Sequence, residues 1–437
     1  MKLRRTMHLN VFLSQSGHHS AAWRHPRADP RNAACLQHYV ALAKSAEAAA
    51  MDSVFIADGL SIGAEAQYEE RRNFEPLTLL AALAVSTFRI GLIATASTSF
   101  SEPYNLARSF ASLDHISKGR AGWNIVTTAE ERSAQNFGGW PADGHDARYA
   151  RADEFVRVAK QLWDSWGPTA LCMDTATGTY TDLGNVREIN HVGQHFRVRG
   201  PLNIPPCPQT YPLLVQAGSS PRGMAFAAEH AEVVFSVHQR LEAAARFCRS
   251  LRQTAAAYGR DVEMLRVLPG LVPVVADSEK AAGQLKRELD DLVPTEKVVA
   301  FLEERLGIDL AGADLDAPLP VLPPPSAFAG QQGRYQVIKD LAERNLTIRQ
   351  VFARLSAGRG HATVVGTPDQ IADHMQEWFE GGAADGFTVL PPLLPDGLDD
   401  FIAGVVPVLR RRRLLRREYE GDTIRDHYRL PSPRAGR

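Results

Sequence analysis

Excess charge is almost absent from this sequence: 49 lysines and arginines stand against 50 aspartates and glutamates, a formal charge of −1. No global field gathers nucleic acid or an anionic membrane, so neither is an expected partner, and small molecules or proteins are. Cysteine is scarce as well. Cys35, Cys172, Cys207 and Cys248 lie far apart and form no Cys-x-x-Cys pair, which argues against a disulfide framework or a zinc site and fits a reducing cytoplasm. No segment approaches the roughly 20 apolar residues that span a bilayer. The opening "MKLRRTMHLNVFLSQSG" has only a short apolar run broken by His8 and Asn10, and reads as a first strand rather than a signal peptide. Neither a Walker-type lysine nor a Gly-x-Gly-x-x-Gly turn accompanies the "AGSSPRG" turn, so a nucleoside triphosphate or an NAD fold is not indicated.

What is present is a rhythm. Eight short apolar runs alternate with helical patterns: Met7 to Leu13, Ser53 to Asp58, Arg89 to Thr98, Ala121 to Thr127, Pro212 to Ser220, Glu232 to Val237, Leu268 to Ala276 and Gly386 to Pro391. Alternating strands and helices imply an α/β fold with a parallel sheet, and eight strands close a TIM (β/α)8 barrel. Such a barrel with insertions reaches 437 residues, so a single domain over residues 1–437 is expected. The alternation breaks twice. Residues 129–211 hold one strong helix, about Ala147 to Trp166, and a hairpin-like piece; residues 277–365 hold charged helices around a Pro-rich linker. Insertions of this length form lids or oligomer contacts. A C-terminal helical arm, about 398–437, begins basic and ends polar, with Arg410 to Arg413 expected on a solvated face or a subunit contact.

Barrel chemistry sits where strands end. Asp58 closes the second run, Thr95 and Ser97 the third, Asn124 lies within the fourth, and Gly218-Ser219-Ser220 closes the fifth. A buried strand tolerates such groups only when they find partners, because each unpaired one costs about 1 to 3 kcal/mol. Neighbouring backbone can supply partners to any one of them; four on successive strand ends favour a shared polar ligand. The turn "AGSSPRG" leads into a helix whose first amides suit a phosphate, with Ser219 and Ser220 as added hydroxyl donors, although a plain N-cap serine is the simpler reading taken alone. In "GHDARYARADEF", His145 and Tyr149 stand four apart, hence on one helix face. The loop "SGHHSAAWRHP" after the first strand carries His18, His19 and His25 without metal-ligand spacing, so no metal is expected and a proton-handling histidine competes with a merely surface loop.

Four stretches carry a resemblance to a family: "GLIATASTSFSEPYNLARSFASLDHISKGRAGWNIVTT", "HDARYARADEF", "GQHFRVRGPLNIP" and "PLLVQAGSSPRGMAFAAEHAE". Together they resemble the flavin-dependent monooxygenases of the bacterial-luciferase superfamily, in the branch of nitrilotriacetate monooxygenase, dibenzothiophene-sulfone monooxygenase and the pristinamycin synthase large subunit. The resemblance runs from Met7 to about Phe247 and resumes near "VVGTPDQIADHMQEWFEGGAADGFTVLPPLLPDGLDDF". It implies a luciferase-like barrel that takes reduced FMN from a separate NAD(P)H-dependent flavin reductase and uses it with molecular oxygen. By matching motif positions it implies that Asp58, Thr95, Ser97 and Asn124 line the flavin ring and that His145, Tyr149, Ser219 and Ser220 hold its phosphate. Trp123 would point the opposite way on its strand and pack behind. His18 is the catalytic candidate, with His19 the competing position in a compact loop.

The implied reaction is oxygenation of a small organic amine, sulfur compound or heterocycle, with carbon-nitrogen or carbon-sulfur cleavage. A homo-oligomer, dimer or tetramer, in the cytoplasm is expected. A deazaflavin-dependent dehydrogenase on the same barrel and a flavin-binding protein without catalysis are the alternatives.

Overall fold

The computed structural model describes residues 5–71, 74–138, 144–218, 220–323, 332–358 and 360–433. All eight apolar runs form strands: β1 (His8–Phe12), β2 (Ser53–Ile56), β3 (Gly91–Ser97), β4 (Ala121–Val126), β5 (Leu213–Gln216), β6 (Val233–Ser236), β7 (Arg266–Val275) and, after an additional β8 (Ala362–Gly366), β9 (Gly386–Val389). They pair in parallel in the order β6-β5-β4-β3-β2-β1-β9-β7, and β6 meets β7 to close the eight-stranded barrel.

β8 corrects the expectation of charged helices alone between residues 277 and 365. β7 has ten residues and β6 only four, so above Ser236 the edge of β7 would be left without hydrogen-bond partners. β8 takes that edge, pairing Leu271 with Ala362 through Val275 with Gly366. The β-branched run in "HATVVG" carries its strand preference.

Alternation sorts each strand into two faces. Leu9, Val11, Val54, Ile56, Leu92, Ala94, Trp123 and Phe387 join the large apolar cluster under the helices. Phe55, Ile93, Leu213, Val215, Val233 and Leu268 fill the barrel instead. Parity therefore turns Phe12, Thr95, Ser97, Asn124 and Gly270 inward as well.

The base of the barrel is filled from an unexpected source. The C-terminal arm does not end as a polar tail: Ile424 and Tyr428, both 0 % exposed, join the interior cluster. Gly91 makes room, since a Cβ there would run into the Ile424 side chain. The basic stretch is partly embedded as well, Arg410 donating to the Ala49 carbonyl and Arg412 pairing with Asp373.

The "SKGRAG" turn before β4 is an anchor. Helix Pro103–Ser117 stops on Lys118 and Gly119, both at positive φ, where glycine is favoured. Arg120, 3 % exposed, then turns its guanidinium onto the carbonyls of Ala84, Thr87 and Ile90, satisfying the end of the neighbouring helix Pro76–Ser86.

The first insertion opens with a short helix, Glu131–Gln135; its long helix, His145–Trp163, begins and ends two to three residues earlier than its sequence bounds and is followed by two small antiparallel pairs, Leu171–Asp174 with Thr179–Thr181 and His191–Val192 with Arg197–Val198. The second holds helices Glu279–Asp291, Thr295–Leu306, Gln332–Ala342 and Ile348–Gly358, the last three sharing their own apolar cluster around Leu302, Tyr335 and Val351. Part of the Pro-rich linker, residues 324–331, lies outside the described residues. Among the described residues no helix is long and apolar enough to cross a membrane.

Candidate active site

The mouth of the barrel has two unlike halves. On β3 and β4, Thr95, Ser97 and Asn124 are inward and buried. Asn124 donates to Thr95 Oγ1 at 2.9 Å, and register sets the two residues side by side. The Asn124 Oδ1 acceptor is buried without a hydrogen-bond partner. Ser97 Oγ accepts from Thr128 Oγ1 at 2.8 Å. Trp123, on the opposite face, donates to the Ala96 carbonyl and packs on Phe110, Phe155 and Trp163. Its parity and that of Asn124 explain one another: the strand presents its amide to the mouth because its indole is needed behind. Asp58 lies just past β2, half-buried, and its Oδ1 accepts from the Gly59 amide.

Beyond β5, adjacent to β4, a polar cradle forms at the start of helix Pro221–His230. Ser220 is its N-cap, accepting from the Gly223 amide at 3.0 Å. His145 Nε2 reaches Ser220 Oγ at 3.3 Å, and the His145 and Tyr149 rings lie 5.0 Å apart on one helix face. A Cβ on Gly223 would stand 2.8 Å from the Tyr149 hydroxyl, so a glycine keeps this corner open. Ser219 lies outside the described residues. A phosphate suits this donor set: helix amides, two hydroxyls and an exposed imidazole.

One carboxylate joins the two helices that build the cradle. Asp153, one turn beyond Tyr149, binds Arg222 through one oxygen and His230 Nε2, at 3.1 Å, through the other. Burial works to raise its carboxyl, but the hydrogen bonds from His230 and Arg222 outweigh that and hold it below the ordinary carboxylate range. Asp153, Glu229 and His230 each bring a ligand atom within 4.8 Å of the others, a spacing a cation could bridge; Arg222 already gives Asp153 a cationic partner.

The other half of the mouth is aromatic. Phe12 stacks on Phe55 at 5.4 Å, Phe55 meets Phe235 at 5.8 Å, Phe235 stacks on His361 at 4.9 Å, His361 meets His18 at 5.9 Å, and His18 returns to Phe12 at 5.6 Å. Five rings close a circuit. The three histidines of the first loop therefore part company. His18 faces the mouth, while His19 binds Asp290 at 3.2 Å and His25 stands 3.7 Å from Glu288, both acids belonging to the second insertion. Lys297 strengthens that docking, donating to the Ser20 carbonyl and pairing with Glu69. Sequence reasoning missed Phe12, Phe55, Phe235 and His361. The three phenylalanines could have been found by strand parity, each being the last inward residue of its strand.

A separate groove of about 500 Å³ lies between the outer face of helix His145–Trp163 and the segment His191 to His195. It holds none of the inward strand residues and is not the barrel mouth.

The model of the luciferase-like monooxygenase family matches residues 15–385. This chain belongs to the luciferase-like monooxygenase family. Among its relatives, the N-acetyl-S-(2-succino)cysteine monooxygenase of Bacillus subtilis (strain 168) is 46% identical over 97% of both chains. Nitrilotriacetate monooxygenase component A of Aminobacter aminovorans is 45% identical over 99% of this chain and 98% of its own. Among solved structures, the EDTA monooxygenase of Chelativorans sp. BNC1 superposes with a TM-score of 0.85 at 34% identity, covering 98% of this chain and 99% of its own. The fold, the family and its flavin-dependent monooxygenase character are thereby shown, and the word "component" in one relative's name speaks of a second protein in that system.

Proposed function

We propose that this luciferase-like monooxygenase takes reduced FMN from a separate NAD(P)H-dependent reductase and oxygenates a small organic molecule, a thioether or amine before a heterocycle. The observation that carries the reading is the orphaned, buried Asn124 Oδ1 beside Thr95, one strand from an open cradle of Ser220, His145, Tyr149 and helix amides. A planar polar ring with a phosphate tail satisfies both at once. When bound, reduced FMN supplies the two electrons that let one oxygen atom enter the substrate and the other leave as water.

The rest falls to the chain. Asn124 and Thr95 orient the ring, with Asp58 and Ser97 at its rim, and the cradle of Ser220, His145 and Tyr149 fixes the phosphate, a role that the sequence motif also gives to Ser219. His18, seated among Phe12 and His361, holds or delivers a proton at an imidazole nitrogen during oxygen transfer. The second insertion, docked through Asp290 and Lys297, keeps water from the mouth. We read the whole chain as one barrel domain carrying its insertions and arm, and as a homo-oligomer. The choice of substrate class is supported by the small thioether and amine acids in the names of the two relatives.

Oxygen uptake tests the reading. With reduced FMN supplied by an unrelated reductase, a panel of small thioethers and amines is expected to give substrate-dependent uptake and an oxygenated product. Turnover of a reduced or oxidised deazaflavin without oxygen would replace it with the dehydrogenase reading. Flavin binding with no turnover across the panel would leave a binding protein.

A further inference from the structure

The second insertion does more than cover the mouth; it sends one side chain into it. His361 immediately precedes β8, and the β8 register places it beside Gly270 of β7. Gly270 is inward by parity, and a Cβ there would run into the His361 ring. That missing side chain is the space the imidazole occupies. Buried at 7 % exposure, His361 lies nearly parallel to Phe235, at 15°, and edge-on to His18.

We propose that His361 is a specificity-determining residue that, with His18, receives a carboxylate of the substrate at the edge of the aromatic circuit. This rests on the proposed monooxygenase reading. Three phenylalanine faces offer only apolar contact, and the two imidazoles are the polar members of the circuit. Their rings are close enough to converge on one anion, and an imidazole lying flat on a phenyl face leaves its ring edge to meet a carboxylate. A small acid with an apolar middle, its thioether or amine over the phenylalanines and its carboxylate between the histidines, fits such a frame. A neutral hydrocarbon gains nothing from the second imidazole.

The test uses the full chain and two probes of one shape, thiodiacetate and its dimethyl ester, measured by titration calorimetry. Wild type is expected to bind the diacid at least about tenfold more tightly than the ester, the worth of one charge-assisted hydrogen bond. His361→Phe keeps a ring on Phe235 and is expected to lose that preference while ester binding stays within twofold. Gly270→Ala, which displaces the ring without changing it, should lose the preference in the same way. In turnover the loss is expected in KM for the diacid with kcat held within about threefold. Equal weakening of both probes in His361→Phe, or no diacid preference in wild type, overturns the proposal. Reduced-FMN affinity, measured on the same variants and expected to be unchanged, separates this failure from failure of the flavin reading.

Discussion

The two halves of the barrel mouth are made in different ways. On β3, β4 and β5 the polar groups come from the strands themselves and from the turn that follows, so neighbours in space are neighbours in register: Thr95 with Asn124, and Asn124 with Val215. On β1, β2, β6 and β7 the surface is assembled from residues 12, 18, 55, 235 and 361, the last delivered by an insertion. The first half is rigid scaffold with a built-in deficit of hydrogen bonds. The second is a packed apolar frame closed by an added element. On the proposed function this would be a division of labour, in which the polar half would hold a constant group and the aromatic half would meet a variable one.

The sharpest way to break this comparison is to remove the histidine on the aromatic side. His18→Ala is expected to bind reduced FMN within about threefold of wild type and still consume oxygen, yet to lower product formed per oxygen by roughly 100-fold to 10,000-fold, the range for a positioned acid or base. Hydrogen peroxide should appear in its place. His25→Ala, whose nearest acid is 3.7 Å away on the surface of the insertion, is the control. A fully coupled His18→Ala would remove the proton role from this half altogether.

The cradle comes next. Ser220→Ala with His145→Ala removes two groups 3.3 Å apart from the proposed phosphate site. The Kd for reduced FMN should rise at least about 100-fold while that for reduced riboflavin moves less than threefold, since charge-assisted hydrogen bonds are worth about 1.5 to 3 kcal/mol each and two groups are removed. Equal losses for both ligands would place the phosphate elsewhere.

A smaller effect tests the deficit itself. Asn124→Leu removes the buried orphan acceptor, together with its hydrogen bond to Thr95. Relief of the orphan, about 1 to 3 kcal/mol, and loss of the bond, about 1 kcal/mol, nearly offset. Stability of the ligand-free chain in urea should therefore be unchanged or slightly higher, while reduced-FMN affinity drops about tenfold. A variant that is less stable by 2 kcal/mol or more would mean that Asn124 is satisfied in the protein alone.

The same contrast explains what could be read from the sequence. All eight barrel strands were legible because each is a short, buried, β-rich run, and parity within "AGWNIV" set Trp123 and Asn124 on opposite faces. His145 and Tyr149 came together because helical spacing is local. Strand parity marks the three phenylalanines as last inward residues, but the aromatic circuit itself was not legible: its five rings meet only through closure of the barrel and the return of the insertion. β8 was hidden because its reason lies in the unequal lengths of β6 and β7. The plug of Ile424 and Tyr428 was masked by the arginines before it, and its counterpart, the absent side chain at Gly91, lies more than 300 residues away.

The smallest expected effect concerns the docking of the insertion. Burial lowers the His19 pKa below its ordinary value of 6.5, and the hydrogen bond that His19 donates to Asp290 only partly restores it. The docked state thus holds a neutral His19, whereas the undocked, hydrated loop takes up a proton more readily. Between the lowered pKa and about 6.5 the undocked state binds more protons, so docking is fully stable above that window and loses stability as pH falls through it, by at most about 1.4 kcal/mol per pH unit. Hydrogen exchange of amides in helices Glu279–Asp291 and Thr295–Leu306, corrected for the intrinsic pH dependence of exchange, is the measurement. Protection there should fall by no more than about tenfold from pH 6.5 to pH 5.5, while the strands around Thr95 and Asn124 keep theirs. His19→Gln cannot take up the proton and should flatten the pH dependence. If the wild-type helices keep constant protection over this range, or if His19→Gln shows the same fall, the insertion is held by other contacts, and Lys297 with Glu69 becomes the pair to break next.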